Sequence, residues 1–498
     1  MKHSFRLILL VLALLLMLTS WVQVRQARSG LVLRRLTREG IPMLYLAPQA
    51  VNDVPGVLIA HGFGGSKQLM LTYGHVLARA GYAVLLWDFD GHAANSAPLN
   101  MEGDALQQNL EAAYQELIAQ PEVDATQVAL LGHSMGSGAV MTAGINNVAR
   151  YHAVVAVSPT GAEVTSTAPR NLLLQAGALE PQFAANARTL LAAAGGENED
   201  MAGGRGRAFT RIPGVEHITI LFSPDSHQAA LTWLNRTFGH TTTSTYHDNR
   251  ILWYAIHFLA GTVALVIGVP MVVDRRGKAR EPETTQGNPT LSHHTYTLFS
   301  FLPGLIAPFL ASGLLFLLSL LGDLSRLGGV IVGGALGVWL FLMGAVMSIG
   351  FRPTRPQRRA LLWGMVLFVL LWFIVGALAQ VVWLPWWLIP ARLVRWPVLA
   401  LLCLPWTVAA AHGQAGQRWP VRLGWWLAQS LLLITGILLA IALIPGLFVL
   451  VLILPLFPLF IGLMTITNAT IADPWAGGLA NALFFAWLLL AYFPLSGF

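Results

Sequence analysis

The sequence predicts two parts of different fold class: an α/β domain built on a mostly parallel sheet, and an all-α domain with several membrane-spanning helices. Of its 498 residues, 55% are hydrophobic and only 11% are charged, whereas about a quarter of a soluble globular chain is charged. The deficit is uneven, because residues 30–245 have an ordinary mixed composition and residues 251–498 are dominated by long apolar runs. We therefore expect a soluble part and a membrane part.

Short apolar runs bounded by glycines indicate the sheet of the soluble part. Such runs are typical of strands that are buried on both faces. Two of the intervening segments, 66–80 and 104–119, have the apolar spacing of helices, which predicts a βαβ architecture with helices on both faces of the sheet. The predicted strands are 57–60, 83–86, 128–131, 153–157, 172–174 and 207–212.

The first predicted membrane segment is the apolar stretch 7–22, which follows Lys2 and Arg6. Such a stretch is either a cleaved signal peptide or a retained anchor. We favour a retained anchor within residues 1–29, because no small-x-small cleavage site follows and the length approaches the ~20 residues of a spanning helix.

Eight further candidate spans follow the soluble part. One lies in 246–273, a polar linker occupies 274–296, and about seven more lie in 297–498. The segment 383–396 holds four tryptophans and two arginines, a mixture that favours the headgroup layer. The eight spans are near 251–273, 297–321, 328–350, 361–383, 397–411, 425–444, 447–466 and 479–495.

The net charge of +7 predicts a membrane orientation rather than a nucleic-acid partner, because many basic residues lie in short segments between apolar runs. The loops at 274–296, 351–360 and 412–424 carry four, four and two Lys or Arg, whereas those at 322–327 and 384–396 carry one and two. By the positive-inside rule the first three loops are cytoplasmic. The soluble part is then expected on the outer face of the plasma membrane.

One group of cations contradicts this orientation. Arg25, Arg28, Arg34 and Arg35 directly follow the first span.

The single cysteine, Cys403, excludes an internal disulfide and a cysteine metal cluster. We expect neither a metal nor a cofactor.

The clearest chemical motif is Gly132-His133-Ser134-Met135-Gly136, which fits G-x-S-x-G. It follows the predicted strand 128–131 and precedes a run compatible with a helix. A nucleophile elbow needs this strand–turn–helix setting, since its serine must be exposed on a sharp turn. The alternative is a chance Gly/Ser turn.

A second motif, His61-Gly62-Phe63-Gly64-Gly65, follows the predicted strand 57–60. Acyl transfer requires backbone N–H groups directed at the developing oxyanion. In this arrangement the donors are the amides of Phe63 and Met135. The alternative is a glycine-rich loop that only turns the chain.

These two motifs, with Asp88-Phe89-Asp90-Gly91-His92 between them, resemble the α/β-hydrolase superfamily. The likeness is greatest to esterases, dienelactone-hydrolase-like and serine-aminopeptidase-like members, and covers about residues 40–240. The resemblance implies a catalytic triad in the chain order serine, acid, histidine, with Ser134 as nucleophile. His61, Gly62, Gly132, His133 and Gly136 are its supporting motif residues.

The resemblance also implies positions for the acid and the base. Glu180 follows the strand 172–174, where the family usually has aspartate; the alternative is a solvated surface glutamate. His217 follows the strand 207–212 and is the expected base. His227 is the alternative base, in an apparent first turn of a helix.

The expected chemistry is cleavage of a small-molecule or lipid-linked ester through an acyl-enzyme. The gap at 159–170 is too short for a cap domain, and apolar segments on both sides tether the soluble part to the bilayer. Two alternatives remain open. One is a transport or sensing protein whose hydrolase-like domain only binds its ligand, and the other is an acyltransferase.

Overall fold

The structure is a computed structural model that describes residues 3–100, 103–240, 246–278 and 298–497. It divides into two compact units. The α/β unit comprises Trp21–Ala255 and Ala379–Trp387. The helical unit comprises Met1–Ser20, Ile256–Leu378 and Leu388–Phe498.

The α/β unit is built on an eight-stranded sheet with the order β1-β2-β4-β3-β5-β6-β7-β8. Strands β3 to β8 are parallel to one another, while β1 and β2 are antiparallel to their neighbours. The mostly parallel sheet confirms the predicted fold class. The strands are β1 (Leu31–Arg38), β2 (Ile41–Pro48), β3 (Val54–Ala60), β4 (Ala83–Trp87), β5 (Val123–His133), β6 (Tyr151–Val157), β7 (Leu172–Gly177) and β8 (Arg207–Ile212).

The hairpin of β1 and β2 was not predicted. Its turn consists of Glu39 and Gly40, which both have positive φ, at 52° and 79°, as a two-residue type I′ hairpin requires. Strand β1 carries three arginines, so it lacks the continuous apolar run that marks the buried strands. An edge strand exposed to water needs no such run.

Helices cover both faces of the sheet, as predicted. Helices α2 and α6 pack with one apolar core, and α3, α4 and α5 pack with the other. Side chains alternate between these cores along each strand, so that Leu58 enters one and Ile59 the other. The helices are α1 (His3–Gln26), which begins in the helical unit, then α2 (Leu71–Arg79), α3 (Ala105–Ile118), α4 (Met135–Asn146), α5 (Pro181–Ala193) and α6 (Pro224–Phe238).

Nine helices among the described residues are long and apolar enough to cross a membrane, which is compatible with a multi-pass membrane protein. After α1, the helices are α7 (Arg250–Lys278), α8 (Leu298–Ser319), α9 (Gly333–Phe351), α10 (Arg358–Leu371), α11 (Leu378–Val382), α12 (Pro390–Leu393), α13 (Trp396–Gln414), α14 (Trp419–Leu443), α15 (Phe457–Thr470) and α16 (Pro474–Tyr492). A π-helix (Trp372–Ala377) joins α10 to α11, and a 3₁₀ helix (Pro445–Leu456) joins α14 to α15.

Several boundaries differ from the prediction. Helix α7 continues to Lys278 and so includes the start of the predicted linker 274–296, while 279–296 lies outside the described residues. Helix α13 is longer than the predicted 397–411, and with α12 it makes one candidate span over Pro390–Gln414. The headgroup placement of 383–396 stays a prediction.

Glycines allow close helix packing in the helical unit. A Cβ at Gly344 of α9 would lie 2.1 Å from the backbone nitrogen of Trp406 in α13, and one at Gly478 of α16 would lie 2.8 Å from Val408 Cα. Helix α13 therefore packs against both neighbours at backbone distance, as small residues allow between membrane helices.

Candidate active site

The predicted nucleophile elbow joins β5 to α4. Ser134 has φ 52° and ψ −121°, a sparsely populated conformation for a residue with a side chain. The sharp turn leaves the serine side chain partly exposed at the carboxyl end of the parallel strands. This is the position that a nucleophile on such a turn requires.

The glycines of both motifs are required by close backbone contacts. A Cβ at Gly132 would lie 2.3 Å from the carbonyl oxygen of Gly136, and a Cβ at Gly136 would lie 2.5 Å from that of His61. A Cβ at Gly62 would lie 3.0 Å from Ser134 Cβ. The elbow and the His61 loop are therefore packed together at distances that larger residues cannot occupy.

The structure brings Ser134, His217 and Glu180 together in one hydrogen-bonded chain. His217 Nε2 lies 3.1 Å from Ser134 Oγ, and His217 Nδ1 lies 2.9 Å from Glu180 Oε2. Because a carboxylate only accepts, Nδ1–H donates to Glu180, and Nε2 of the neutral ring accepts from the serine hydroxyl. The ring is therefore oriented to take a proton from Ser134.

Glu180 is buried, with 3% of its surface exposed, and it is not a solvated surface residue. Its second oxygen, Oε1, accepts from Ser158 Oγ at 2.7 Å and from the backbone N–H of Gly177 at 2.6 Å. These bonds compensate the loss of water around the carboxylate. Among the described residues, the hydrogen bonds of the Glu180 carboxylate therefore come from the ends of β6 and β7 and from His217.

The His61 loop forms a tight turn in which Gly65 N–H donates to Gly62 O at 3.0 Å, with Gly64 at φ 67°. The N–H of Phe89 donates to His61 Nε2 at 3.1 Å, so Nδ1 carries the proton and donates to Gly62 O at 2.7 Å. Burial lowers the pKa of His61 to about 4, which keeps its ring neutral.

This geometry sets the direction of the Phe63 amide. Since the C=O and N–H of a trans peptide point in opposite directions, the bonds to Gly62 O turn the Phe63 N–H away from His61. The Met135 amide lies at the first position of α4, where helices have no internal partner for their N–H groups. Over the described residues, neither amide donates to a protein acceptor. Their role as oxyanion donors stays a prediction.

The alternative base, His227, lies elsewhere in the core. Its Nε2 donates to Leu221 O at 2.8 Å, and its ring packs edge-on against Tyr73 with centroids 4.5 Å apart. Burial lowers its pKa to about 4. The Ser134 hydroxyl donates to Nε2 of His217 instead.

Three contacts of the site were not predicted. Ser158, at φ 47°, binds Glu180, and Phe183 stacks on the ring of His217 with centroids 4.3 Å apart. His133, which the motif leaves variable, contacts the backbone of His217. A serine just after a buried strand was an available signal for Ser158, but nothing local marks Phe183.

The connection between β6 and β7 adds no separate domain over the side chain of Ser134. Residues 158–171, which connect β6 to β7, are all described and contain no helix. This agrees with the prediction that the connection is too short for a cap domain. Ser134 and Phe183 are partly exposed, whereas His217 is 7% exposed. The Ser134 hydroxyl therefore lies near the surface of the α/β unit.

Residues 54–198 match the family described as serine aminopeptidase, S33. The α/β unit is an α/β-hydrolase domain. This match covers the strands and helices around the elbow and both motifs of the hydrolase domain, and it does not extend to the helical unit. The resemblance stated from the motifs is confirmed. No sequence of a curated protein matches this chain.

Solved structures similar to the hydrolase domain include esterases and a lipase. The esterase Est22 is 15% identical over 44% of this chain and 84% of its own, with a TM-score of 0.33. An esterase from Pyrobaculum calidifontis is 16% identical over 48% of this chain and 98% of its own, with a TM-score of 0.33. An open-form lipase is 13% identical over 41% and 99%, with a TM-score of 0.34.

Proposed function

We propose that this chain is a membrane-bound serine hydrolase that cleaves carboxylic esters through an acyl-enzyme. The observation that carries the proposal is the continuous hydrogen-bonded chain from Ser134 through His217 to Glu180. A domain that only binds its ligand has no need of a serine held in a rare backbone conformation against an oriented imidazole.

In the proposed mechanism Ser134 Oγ attacks the ester carbonyl while His217 Nε2 takes the hydroxyl proton. Glu180 holds the ring and stabilises the imidazolium. The amides of Phe63 and Met135 stabilise the oxyanion, and each such donor contributes about 3–4 kcal/mol. His217 then gives its proton to the leaving alcohol. Water, deprotonated by the same ring, attacks the acyl-enzyme, and His217 returns that proton to Ser134 Oγ as the acid is released.

The proposed substrates are small-molecule or lipid-linked esters near the outer face of the plasma membrane. Two features support this choice. The connection 158–171 leaves the serine close to the surface, and candidate spans lie on both sides of the hydrolase domain in the chain. Such tethering keeps the site near the bilayer, where lipid-linked esters are concentrated.

The test is labelling of the full chain with a fluorophosphonate probe, together with hydrolysis of a panel of ester, thioester and peptide substrates. Ser134→Ala should abolish both labelling and ester cleavage. Ser166→Ala, an exposed serine in the same domain, is the control and should retain both. If labelling persisted in Ser134→Ala, the proposal would be wrong. Transfer of the acyl group to an added alcohol would instead identify the enzyme as an acyltransferase.

The proposed orientation has its own test. The only cysteine of the chain, Cys403, is buried, so single reporter cysteines can be introduced at exposed sites. Ser166→Cys should react with a membrane-impermeant maleimide in intact cells. Gln357→Cys, between α9 and α10, should react only after the cells are permeabilised. The reverse pattern would place the hydrolase domain in the cytoplasm.

A further inference from the structure

A cavity of about 300 Å³ lies in the α/β unit, apart from the Ser134 site. It is bounded by residues of β1 and β2, by the start of α2, and by the segment Ala379–Trp387 that belongs to the same unit. Three cationic side chains line it: Arg28, Arg35 and Lys67. Leucines and Trp387 supply apolar parts of the wall. No residue of the Ser134 site lines this cavity.

The arginines of this cavity differ from their neighbours in having no acidic partner. On the other face of β1, Arg34 pairs with Glu122 at 2.6 Å and Arg38 pairs with Glu116 at 3.0 Å. Within the described part of the chain, no carboxylate lies within 4 Å of the guanidinium of Arg28 or Arg35. The arginine charges on one face of β1 are therefore neutralised by glutamates, whereas the charge of Arg35 on the cavity face is not.

Like charges are gathered around Arg28. Burial, and the guanidinium groups of Arg250, Arg35 and Arg25, lower the pKa of Arg28. Of these three neighbours, Arg250 is itself paired with the buried Asp248 at 2.6 Å. The third cation of the wall, Lys67, forms an ion pair with the buried Asp88. An arrangement of like charges in a partly buried place costs free energy unless an anion compensates it.

The cavity also contains an unpartnered amide. Gln68 is 8% exposed, and its side-chain Oε1 has no hydrogen-bond partner among the residues that the structure describes. Rotation of this amide presents two N–H donors in place of the oxygen. The turn that carries Arg28 is held firmly, because Arg79 Nη2 donates to the carbonyls of Ala27 at 3.1 Å and Ser29 at 2.9 Å. The backbone that carries Arg28 is therefore fixed before any ligand arrives.

The wall residues follow two candidate membrane spans in the chain. Arg28 comes two residues after α1 ends at Gln26, and the span Arg358–Val382 ends within the segment that supplies Val381 and Trp387. Trp387 is 61% exposed, and tryptophan at the end of a span is typical of the headgroup layer. Phosphate groups of lipids lie at this depth.

We propose that this cavity binds a phosphate ester, with Arg28 and Arg35 pairing the phosphate oxygens and the apolar wall contacting the attached carbon chain. Arginine suits this ligand because its planar fork binds two phosphate oxygens at once. The site is independent of hydrolysis at Ser134. It also accounts for two of the cations that contradict the positive-inside rule, since their charge is used for binding.

The test uses the full chain in an uncharged detergent, with the midpoint of thermal unfolding as readout, because a ligand of the native state raises it. The probes are inorganic phosphate, a short-chain phosphatidylglycerol, and the diacylglycerol with the same chains and no phosphate. Stabilisation by both phosphate compounds would show that the phosphate alone suffices. Stabilisation by phosphatidylglycerol only would identify a lipid head group. Equal effects of phosphatidylglycerol and diacylglycerol, or none, would overturn the proposal.

Variants locate the site. Arg28→Gln and Arg35→Gln should each weaken binding by roughly tenfold or more, the usual value of a charge-assisted hydrogen bond. Arg38→Gln makes the same charge change on the other face of β1 and should bind as the parent does. Thr37→Glu, at an exposed position of the wall, keeps both arginines but should abolish binding by supplying its own carboxylate. Unchanged binding in Thr37→Glu and Arg35→Gln, or equal loss in Arg38→Gln, would exclude this cavity.

Discussion

The side chain of His133 holds the backbone of His217: its Nε2 lies 2.9 Å from the His217 carbonyl oxygen. Burial, and the nearby His217, lower the pKa of His133 well below its ordinary value, so the ring is neutral and its Nε2–H donates. His133 directly precedes Ser134 in the chain. The elbow that presents the serine therefore also positions the loop of the imidazole.

His133→Ala should lower kcat by about tenfold to hundredfold with little change in KM, because a shift of the His217 loop misaligns the base without removing any substrate contact. His133→Gln keeps an N–H near the position of Nε2 and should recover part of the loss. Steady-state kinetics on an ester substrate give both constants. Parental kcat in His133→Ala would show that the contact has no positioning role.

Glu180→Gln should lower kcat by about 10⁴-fold, since an amide in place of the carboxylate no longer fixes the Nδ1–H form of His217 or stabilises its cation. Glu180→Asp retains the charge and should keep more activity than Glu180→Gln. The exposed Glu163, changed to Gln, is the matched control and should leave kcat unchanged. If Glu180→Gln and Glu163→Gln were equally active, Glu180 would not be the acid.

Gly136→Ala should lower the free energy of unfolding by about 1–3 kcal/mol. The added Cβ would lie 2.5 Å from His61 O and 2.7 Å from Ala60 O, both backbone atoms that cannot move aside alone. Gly161→Ala is the control, because a Cβ there meets nothing within 4 Å. Denaturant unfolding followed by tryptophan fluorescence compares the two. Equal stability of the two variants would contradict the close packing of the elbow on the His61 loop.

The stability of the hydrolase domain should fall as the pH decreases from 6.5 towards 4. Burial lowers the pKa of His61 and of His227 to about 4, from an ordinary 6.5. In this range the unfolded chain binds more protons than the folded one. The contribution of each neutral ring to the free energy of unfolding is therefore complete above pH 6.5 and decreases below it.

His227→Gln tests this pH dependence away from the catalytic residues. Glutamine can donate to Leu221 O as Nε2 of His227 does, but it does not titrate. The unfolding midpoint of the variant should therefore change less between neutral pH and pH 5 than that of the parent chain. A pH dependence as steep as the parent's would show that His227 does not contribute.

The parts of the fold that depend on short stretches of chain were predictable. Continuous apolar runs identified β3 to β7, because buried strands need apolar residues on both faces. The edge strand β1, with Arg34 and Arg35, escaped prediction, because its stability comes from pairing with β2 across a turn and from ion pairs with distant glutamates. Glu180 was predicted only because the resemblance gave the position of the acid relative to the strands.

The sequence by itself determined the division into an α/β part and a part rich in long apolar helices, and it marked the serine on its elbow. These depend on composition, periodicity and residues next to one another in the chain, whereas the order of serine, glutamate and histidine came from the resemblance to the α/β hydrolases. Only the tertiary structure decided which imidazole meets Ser134, that Ser158 and Phe183 contact Glu180 and His217, and that Arg28 and Arg35 line one cavity with no carboxylate partner among the described residues. These contacts join residues far apart in sequence, and their distances follow from the packing of strands and helices.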